Sequence, residues 1–124
     1  MSEPRVRGRF LVAAIAVLVF AAPVPARPAA PQVVAAHNLH FVPEEVNLER
    51  GGTLQFFNPD WMGRLEFDGH TLTELRSDGP PRFGSGLVTF PTAAEVKGVS
   101  SLAPGDYTFR CDVHPFMRGT LVIE

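Results

Sequence analysis

The chain has 124 residues and a formal net charge of −2 at pH 7, with 45% hydrophobic and 19% charged residues. That length suits one small domain, and the absence of a basic run or stripe argues against a nucleic-acid partner. A single cysteine excludes an internal disulfide framework.

The N-terminal segment has the layout of a secretory signal peptide. Three arginines precede Phe10–Ala22, an unbroken apolar run of 13 residues, and small residues follow. The run is shorter than the roughly 20 residues that a membrane-spanning helix needs. We therefore predict a signal peptide over residues 1–26, cleaved after Ala26, with export to the periplasm or cell exterior and no stable membrane span. An uncleaved N-terminal anchor is the alternative.

The exported part would be a flexible leader, residues 27–31, and one domain, residues 32–124, which we expect to be monomeric. It carries a net charge near −4, because three of the 11 basic residues and one of the 13 acidic residues precede residue 27. Small exported domains are usually stapled by disulfides. The lone cysteine therefore indicates intermolecular pairing, a reactive thiol or a metal ligand.

Short runs of alternating apolar and polar residues, separated by turn signals, occupy the domain. About eight such runs in roughly 100 residues predict an all-β fold, an antiparallel Greek-key β-sandwich. The predicted strands are Gln32–Phe41, Glu45–Glu49, Thr53–Asn58, His70–Leu75, Leu87–Phe90, Gly98–Leu102, Tyr107–Cys111 and Gly119–Glu124.

Soft-metal ligands are concentrated in "CDVHPFM", residues Cys111–Met117. Cys111 ends one predicted strand and Gly119 begins the next, so His114 and Met117 lie in the turn between neighbouring strands. Thiolate and thioether suit Cu(I), and imidazole suits Cu(II) as well. Taken singly, the cysteine could be a small buried hydrophobe and the methionine a core side chain. The joint spacing at a strand–turn–strand favours a metal site.

A ligand from outside the loop would tie such a site to the fold. His70 begins a predicted strand directly after a loop, so it can lie at the same end of the sandwich. His70, Cys111 and His114 would then form a trigonal set, with Met117 as a long axial ligand. That combination is the blue-copper arrangement.

The remaining histidines, His37 and His40, are three residues apart in one predicted strand and would face opposite sides. We interpret them as structural or surface residues. Without a second histidine cluster, and with one cysteine, the sequence does not favour an enzyme.

At these residues the sequence resembles the cupredoxins, the small blue copper proteins, over nearly all of the domain. "FVPEEVNLERGGTLQFFNPD" is similar to the first half of that family and "LAPGDYTFRCDVHPFMRGTLVIE" to the second. The Cys-x2-His-x2-Met pattern is closest to the amicyanin and plastocyanin group, and within that group the short His-Pro-Phe-Met loop is most similar to amicyanins, since plastocyanins have longer spacing from the second histidine to the methionine. The resemblance implies a Greek-key sandwich and electron transfer outside the cytoplasm. It also implies one type 1 copper ion held by His70, Cys111, His114 and Met117.

Two features depart from the family pattern. The insertion "WMGRLEFDG" separates Asp60 from His70 and would place Trp61, Met62 and Leu65 near the copper end of the fold.

The second departure is Val113, which stands where amicyanin-like loops have proline. Valine has the N–H that proline lacks. We therefore expect a second backbone hydrogen bond to the Cys111 sulfur, beside one from Thr71, and a lower potential on replacing Val113 with proline.

The predicted function is single-electron shuttling between transiently bound redox partner proteins, by outer-sphere transfer through His114. One alternative is periplasmic copper storage or delivery with the same ligands. Another is a metal-free exported binding or adhesion sandwich.

Overall fold

The structure is a computed structural model, and it describes residues 20–25, 30–61 and 69–124. The predicted signal peptide lies outside the described residues except for 20–25, as do most of the predicted leader, Met62 and Leu65. Within the described ranges, no helix has the length and apolar character needed to span a membrane.

The described part of the chain forms two four-stranded sheets packed face to face. Their strand orders are β2-β1-β4-β6 and β3-β8-β7-β5. An all-β sandwich of eight strands is therefore confirmed. The strands are β1 (Gln32–His37), β2 (His40–Val42), β3 (Glu45–Leu48), β4 (Leu54–Phe57), β5 (Thr73–Glu74), β6 (Ala93–Glu95), β7 (Gly105–Arg110) and β8 (Arg118–Ile123).

Both sheets are mixed rather than wholly antiparallel. β1 pairs with β4, and β3 with β8, in parallel, whereas the other four strand pairs are antiparallel. The chain leaves the first sheet between β2 and β3, at Pro43, whose ring nitrogen has no N–H to extend a ladder. It returns to that sheet for β4. Each sheet therefore joins strands that are distant in sequence.

The core lies between the sheets and follows the period-2 pattern of the strands. In β8, for example, Gly119, Leu121 and Ile123 are buried while their neighbours are more exposed. Phe41 bridges the two layers, because its ring meets Phe56 and Phe109 edge-on at centroid distances of 5.8 and 4.9 Å. Such aromatic contacts stabilise the packing beyond simple burial of area.

A tight hairpin interrupts the first predicted strand. Asn38 and Leu39 have φ angles of 48° and 63°, which turn β1 back into β2. His37 pairs directly with His40 across this hairpin. Direct partners in an antiparallel pair project on the same side, so the expectation that these histidines face opposite sides is wrong. Both are exposed, as a surface role requires.

The segment between β5 and β7 differs most from prediction. Leu87–Phe90 contributes only an isolated bridge, between Val88 and His70. Gly98–Leu102 is a 3₁₀ turn over Val99–Ser101, entered through a left-handed Gly98 with φ of 92°. β6 lies between these two segments and was not predicted. Short apolar runs do not by themselves distinguish strands from other buried segments.

Candidate metal centre

His70 is held by backbone pairing to Val88. The His70 N–H donates to the Val88 carbonyl at 3.0 Å, and the Val88 N–H donates to the His70 carbonyl at 2.8 Å. The Asn58 side-chain amide donates to the same Val88 carbonyl at 2.9 Å. His70 and Asn58 are both fully buried. This pairing fixes the backbone of His70 before any side-chain contact is considered.

The Cys111–Met117 loop closes on itself where β7 turns into β8. The Cys111 N–H donates to the Met117 carbonyl at 3.1 Å, and the Met117 N–H donates to the His114 carbonyl at 2.9 Å. The side chains of Cys111 and Met117 are buried, with 0% and 2% exposure. The loop thus presents Cys111, His114 and Met117 as a compact, backbone-linked group at one end of the sandwich.

Three potential ligand atoms converge there. The Cys111 Sγ lies 3.8 Å from the Nδ1 of His70 and 3.8 Å from the Nδ1 of His114, and the two nitrogens are 3.2 Å apart. Among the described residues, these side chains form the group of histidine, cysteine and acidic residues able to hold a metal ion. The predicted pairing of His70 with the loop histidine and cysteine is therefore present in the fold.

The triangle has the size of a metal site. A point equidistant from three atoms with these separations lies about 2.1 Å from each of them. Histidine nitrogen and cysteine sulfur bind zinc, which is similar in size to copper, at roughly 2.0–2.3 Å. A trigonal N₂S set therefore needs little rearrangement to accept an ion.

Two backbone N–H groups point at the Cys111 sulfur. Thr71 donates at 3.3 Å, as expected, and His114 donates at 3.4 Å. The prediction of a second donor is thus correct in number but wrong in residue, because the N–H comes from His114 and not from Val113. Proline at position 113 would leave this N–H in place. The structure consequently removes the reason to expect a lower potential from that substitution.

A polar network behind the sulfur joins the histidine segment to the loop. The Thr71 hydroxyl accepts the Asp112 N–H at 2.8 Å and donates to the Asp112 carboxylate at 3.1 Å. Thr73 donates to the same carboxylate at 2.7 Å. Burial raises the pKa of Asp112, but hydrogen bonds from Thr73, Thr71 and Arg110 outweigh it and leave that pKa below its ordinary value.

Asp60 stands behind the ring of His70, and sequence reasoning gave it no role at the site. Its Oδ2 lies 3.3 Å from the Nε2 of His70, and its own N–H donates to the Asn58 side chain at 3.0 Å. The available signal was the triplet "NPD", since asparagine and proline at such spacing mark a tight turn. That turn brings the Asp60 carboxylate to the histidine.

Several apolar side chains near His114 or Asp60 in the chain are exposed to solvent. His114 is half-buried, and its ring contacts Phe116 at a centroid distance of 6.0 Å. Phe116 and Val113 are 68% and 40% exposed. Trp61 is also exposed, and its ring lies 5.4 Å from that of Phe90.

No protein-family model matches the sequence, and no curated protein matches it either. Similar folds are found among solved structures. The copper-containing nitrite reductase (NirK) from Thermus scotoductus SA-01 has a TM-score of 0.64 and 22% identity, over 85% of this chain and 25% of that chain. A reduced Cu(I) form of an amicyanin variant has a TM-score of 0.61 and 21% identity, over 77% and 84%. A purple cupredoxin from Nitrosopumilus maritimus has 0.59 and 16%, over 75% and 99%.

This chain spans about a quarter of the nitrite reductase but most of the length of amicyanin and of the purple cupredoxin. At these identities the likeness concerns the arrangement of strands. The chain therefore has the cupredoxin β-sandwich fold.

Proposed function

We propose that the protein is an exported mononuclear blue copper protein that shuttles single electrons between redox partner proteins. The observation that carries this proposal is the triangle of His70 Nδ1, His114 Nδ1 and Cys111 Sγ, with sides of 3.2–3.8 Å. Two imidazoles and a thiolate are the trigonal donor set of blue-copper sites. Met117 would be the weak axial ligand, supported by its burial and its backbone bonds to Cys111 and His114.

The residues fit copper better than an alternative role for the cysteine. Cys111 is completely buried and accepts two N–H groups, which suits a thiolate. A buried sulfur is also a poor candidate for pairing with another molecule. When bound, copper supplies a reversible one-electron change between Cu(I) and Cu(II). Sulfur ligands suit Cu(I) and imidazole nitrogens suit Cu(II) as well, so this set can hold both oxidation states.

His114 gives the site its contact with the outside. Its ring is half-buried, while His70 and Cys111 are fully buried. Electrons would therefore pass through the His114 edge by outer-sphere transfer. The exposed Phe116 and Val113 beside it suit brief docking, because redox interfaces are small and need only a modest apolar patch.

Export and a transient, monomeric mode of action belong to the same proposal. The apolar run at Phe10–Ala22 supports export. The likeness to nitrite reductase covers a quarter of that enzyme, and it gives this chain no catalytic role by itself. We propose that no bond is made or broken at the site.

Reversible voltammetry of the copper-loaded protein tests electron transfer against copper storage or delivery. We expect a one-electron couple with fast exchange and no loss of copper over repeated cycles, because backbone hydrogen bonds hold the segments that carry the proposed ligands. A protein that keeps only Cu(I), or releases the ion on oxidation, would favour storage or delivery. Failure to retain any copper would favour the metal-free binding sandwich.

A further inference from the structure

Asp60 makes contacts on two sides of the site. It is 8% exposed. Its Oδ1 accepts the Asn38 N–H at 2.8 Å, and its Oδ2 accepts the Leu39 N–H at 3.2 Å. The same Oδ2 is 3.3 Å from the Nε2 of His70. One carboxylate therefore joins the β1–β2 turn to the buried histidine.

The turn is built to receive an anion. Asn38 and Leu39 both have left-handed φ angles, a conformation that costs a non-glycine residue roughly 1–2 kcal/mol. Consecutive N–H groups in such a turn point toward a common centre and favour a negative charge there. The Asp60 carboxylate occupies that centre. Its position is thus fixed by the backbone of the hairpin and does not depend on a metal.

We propose that Asp60 is a positioning residue that sets the tautomer and ring direction of His70. In this role its Oδ2 accepts the Nε2–H of the neutral imidazole. A neutral imidazole carries one N–H, so the proton on Nε2 leaves a lone pair on Nδ1. Nδ1 is the atom that lies 3.2 Å from the His114 ring and 3.8 Å from the Cys111 sulfur. The His70 ring would therefore be oriented, with Nδ1 toward the site, before a metal binds. Its orientation would depend on the β1–β2 turn through Asp60.

Asp60→Asn is a nearly isosteric test of this role. Both oxygens of the carboxylate face N–H groups, so an amide must turn its own donor toward at least one of them. If the amide oxygen stays with the turn, its NH₂ group faces His70 Nε2 and favours the opposite tautomer. Asn38→Gly is the matched control, because glycine adopts the left-handed turn and keeps the N–H that Asp60 accepts.

The first readout uses the metal-free protein. Long-range ¹H–¹⁵N correlation spectra of the histidine rings should show His70 with the proton on Nε2 in the wild type and in Asn38→Gly. Asp60→Asn should lose this single tautomer. A wild-type His70 protonated on Nδ1 would overturn the proposal, whether or not the variant folds.

The second readout rests on the proposed function, because it uses copper. Asp60→Asn should bind copper about 10–100-fold more weakly, the usual cost of losing a partner of a ligating histidine. The negative charge of Asp60 stabilises Cu(II) relative to Cu(I). Its loss in Asp60→Asn should therefore raise the reduction potential. Unchanged affinity and potential in Asp60→Asn would contradict the positioning role. A single Nε2–H tautomer without copper binding in any variant would support that role and refute the copper assignment.

Discussion

At the residue scale, Thr71 links the Cys111 sulfur to Asp112 through hydrogen bonds of both its backbone and its side chain. Its backbone N–H donates to Cys111, while its hydroxyl bonds to both the N–H and the carboxylate of Asp112. Thr71 is buried. It therefore fixes the start of the loop relative to His70, its neighbour in the chain.

Replacing Thr71 with valine keeps the shape and the backbone donor but removes the hydroxyl. We expect a loss of about 2 kcal/mol in the free energy of unfolding of the metal-free protein, because the Asp112 N–H loses its acceptor. Thr73→Val is the matched control. It removes a donor to the same carboxylate and should cost about 1 kcal/mol. Urea denaturation measures both, and an equal or smaller loss in Thr71→Val would show that the hydroxyl does not brace the loop.

At the element scale, the short β5 strand is held by an ion pair to the loop that follows it. The Glu74 carboxylate is buried and accepts the backbone N–H of Arg82 at 2.7 Å and its Nε at 2.9 Å. The Arg82 guanidinium also lies over the Tyr107 ring at 4.8 Å. The hydrogen bond from Arg82 holds the pKa of Glu74 below its ordinary value, against the opposing effect of burial.

Replacing Arg82 with methionine should therefore destabilise the fold in a pH-dependent way. A carboxyl whose folded pKa is lowered contributes stability above its unfolded pKa of roughly 4.3 and loses it as the pH falls through the folded value. We expect a loss of about 2 kcal/mol at pH 7, below the roughly 3–5 kcal/mol for a fully buried pair, because the Arg82 side chain is 47% exposed. The difference from wild type should shrink below about pH 4.

Arg76→Met is the comparison variant for this prediction. Arg76 pairs with Asp78, which is 77% exposed, and such surface pairs contribute roughly 0–1 kcal/mol. Denaturation curves from pH 3 to 8 would separate the two variants. A pH-independent loss in Arg82→Met, or the same loss in both variants, would contradict the account of Glu74.

The elements that sequence predicts well are those with strong local patterns. β7 and β8 alternate clearly, and the turn between them carries three chemically distinctive residues, so the loop half of the site was predictable. His70 was predictable only as the start of a predicted strand, His70–Leu75; in the structure it forms an isolated bridge to Val88, and β5 covers only Thr73–Glu74. Asp60 was not predictable, because its contact depends on the hairpin at Asn38 and on how the sheets pack.

Other differences have equally specific causes. The Asn38–Leu39 turn lacks the Asn-Gly signal typical of two-residue hairpins, so one long strand was predicted instead of β1 and β2. The second donor to the sulfur was assigned to Val113 because the sequence shows which residues have a backbone N–H but not where each N–H points. The conformation of the loop directs the backbone N–H of His114 toward the Cys111 sulfur.

At the scale of the whole molecule, two packed sheets bring the side chains of the proposed ligand set close together. Backbone pairing fixes His70 from one side, and the β7–β8 hairpin fixes Cys111 and His114 from the other. If the fold already holds the ligands in place, they need to move little when the copper ion changes its oxidation state. That property, more than the identity of any ligand, would make the protein suitable for fast electron exchange.

The visible absorption spectrum of the copper-loaded protein, recorded for the wild type and for His70→Ala, tests the central claim most directly. We predict one copper per chain and an intense blue band from the Cys111 thiolate in the wild type. His70→Ala should lose that band or shift it strongly, because the trigonal set would be incomplete. A colourless Cu(II) wild type, or an identical blue spectrum in His70→Ala, would contradict the assignment of the site.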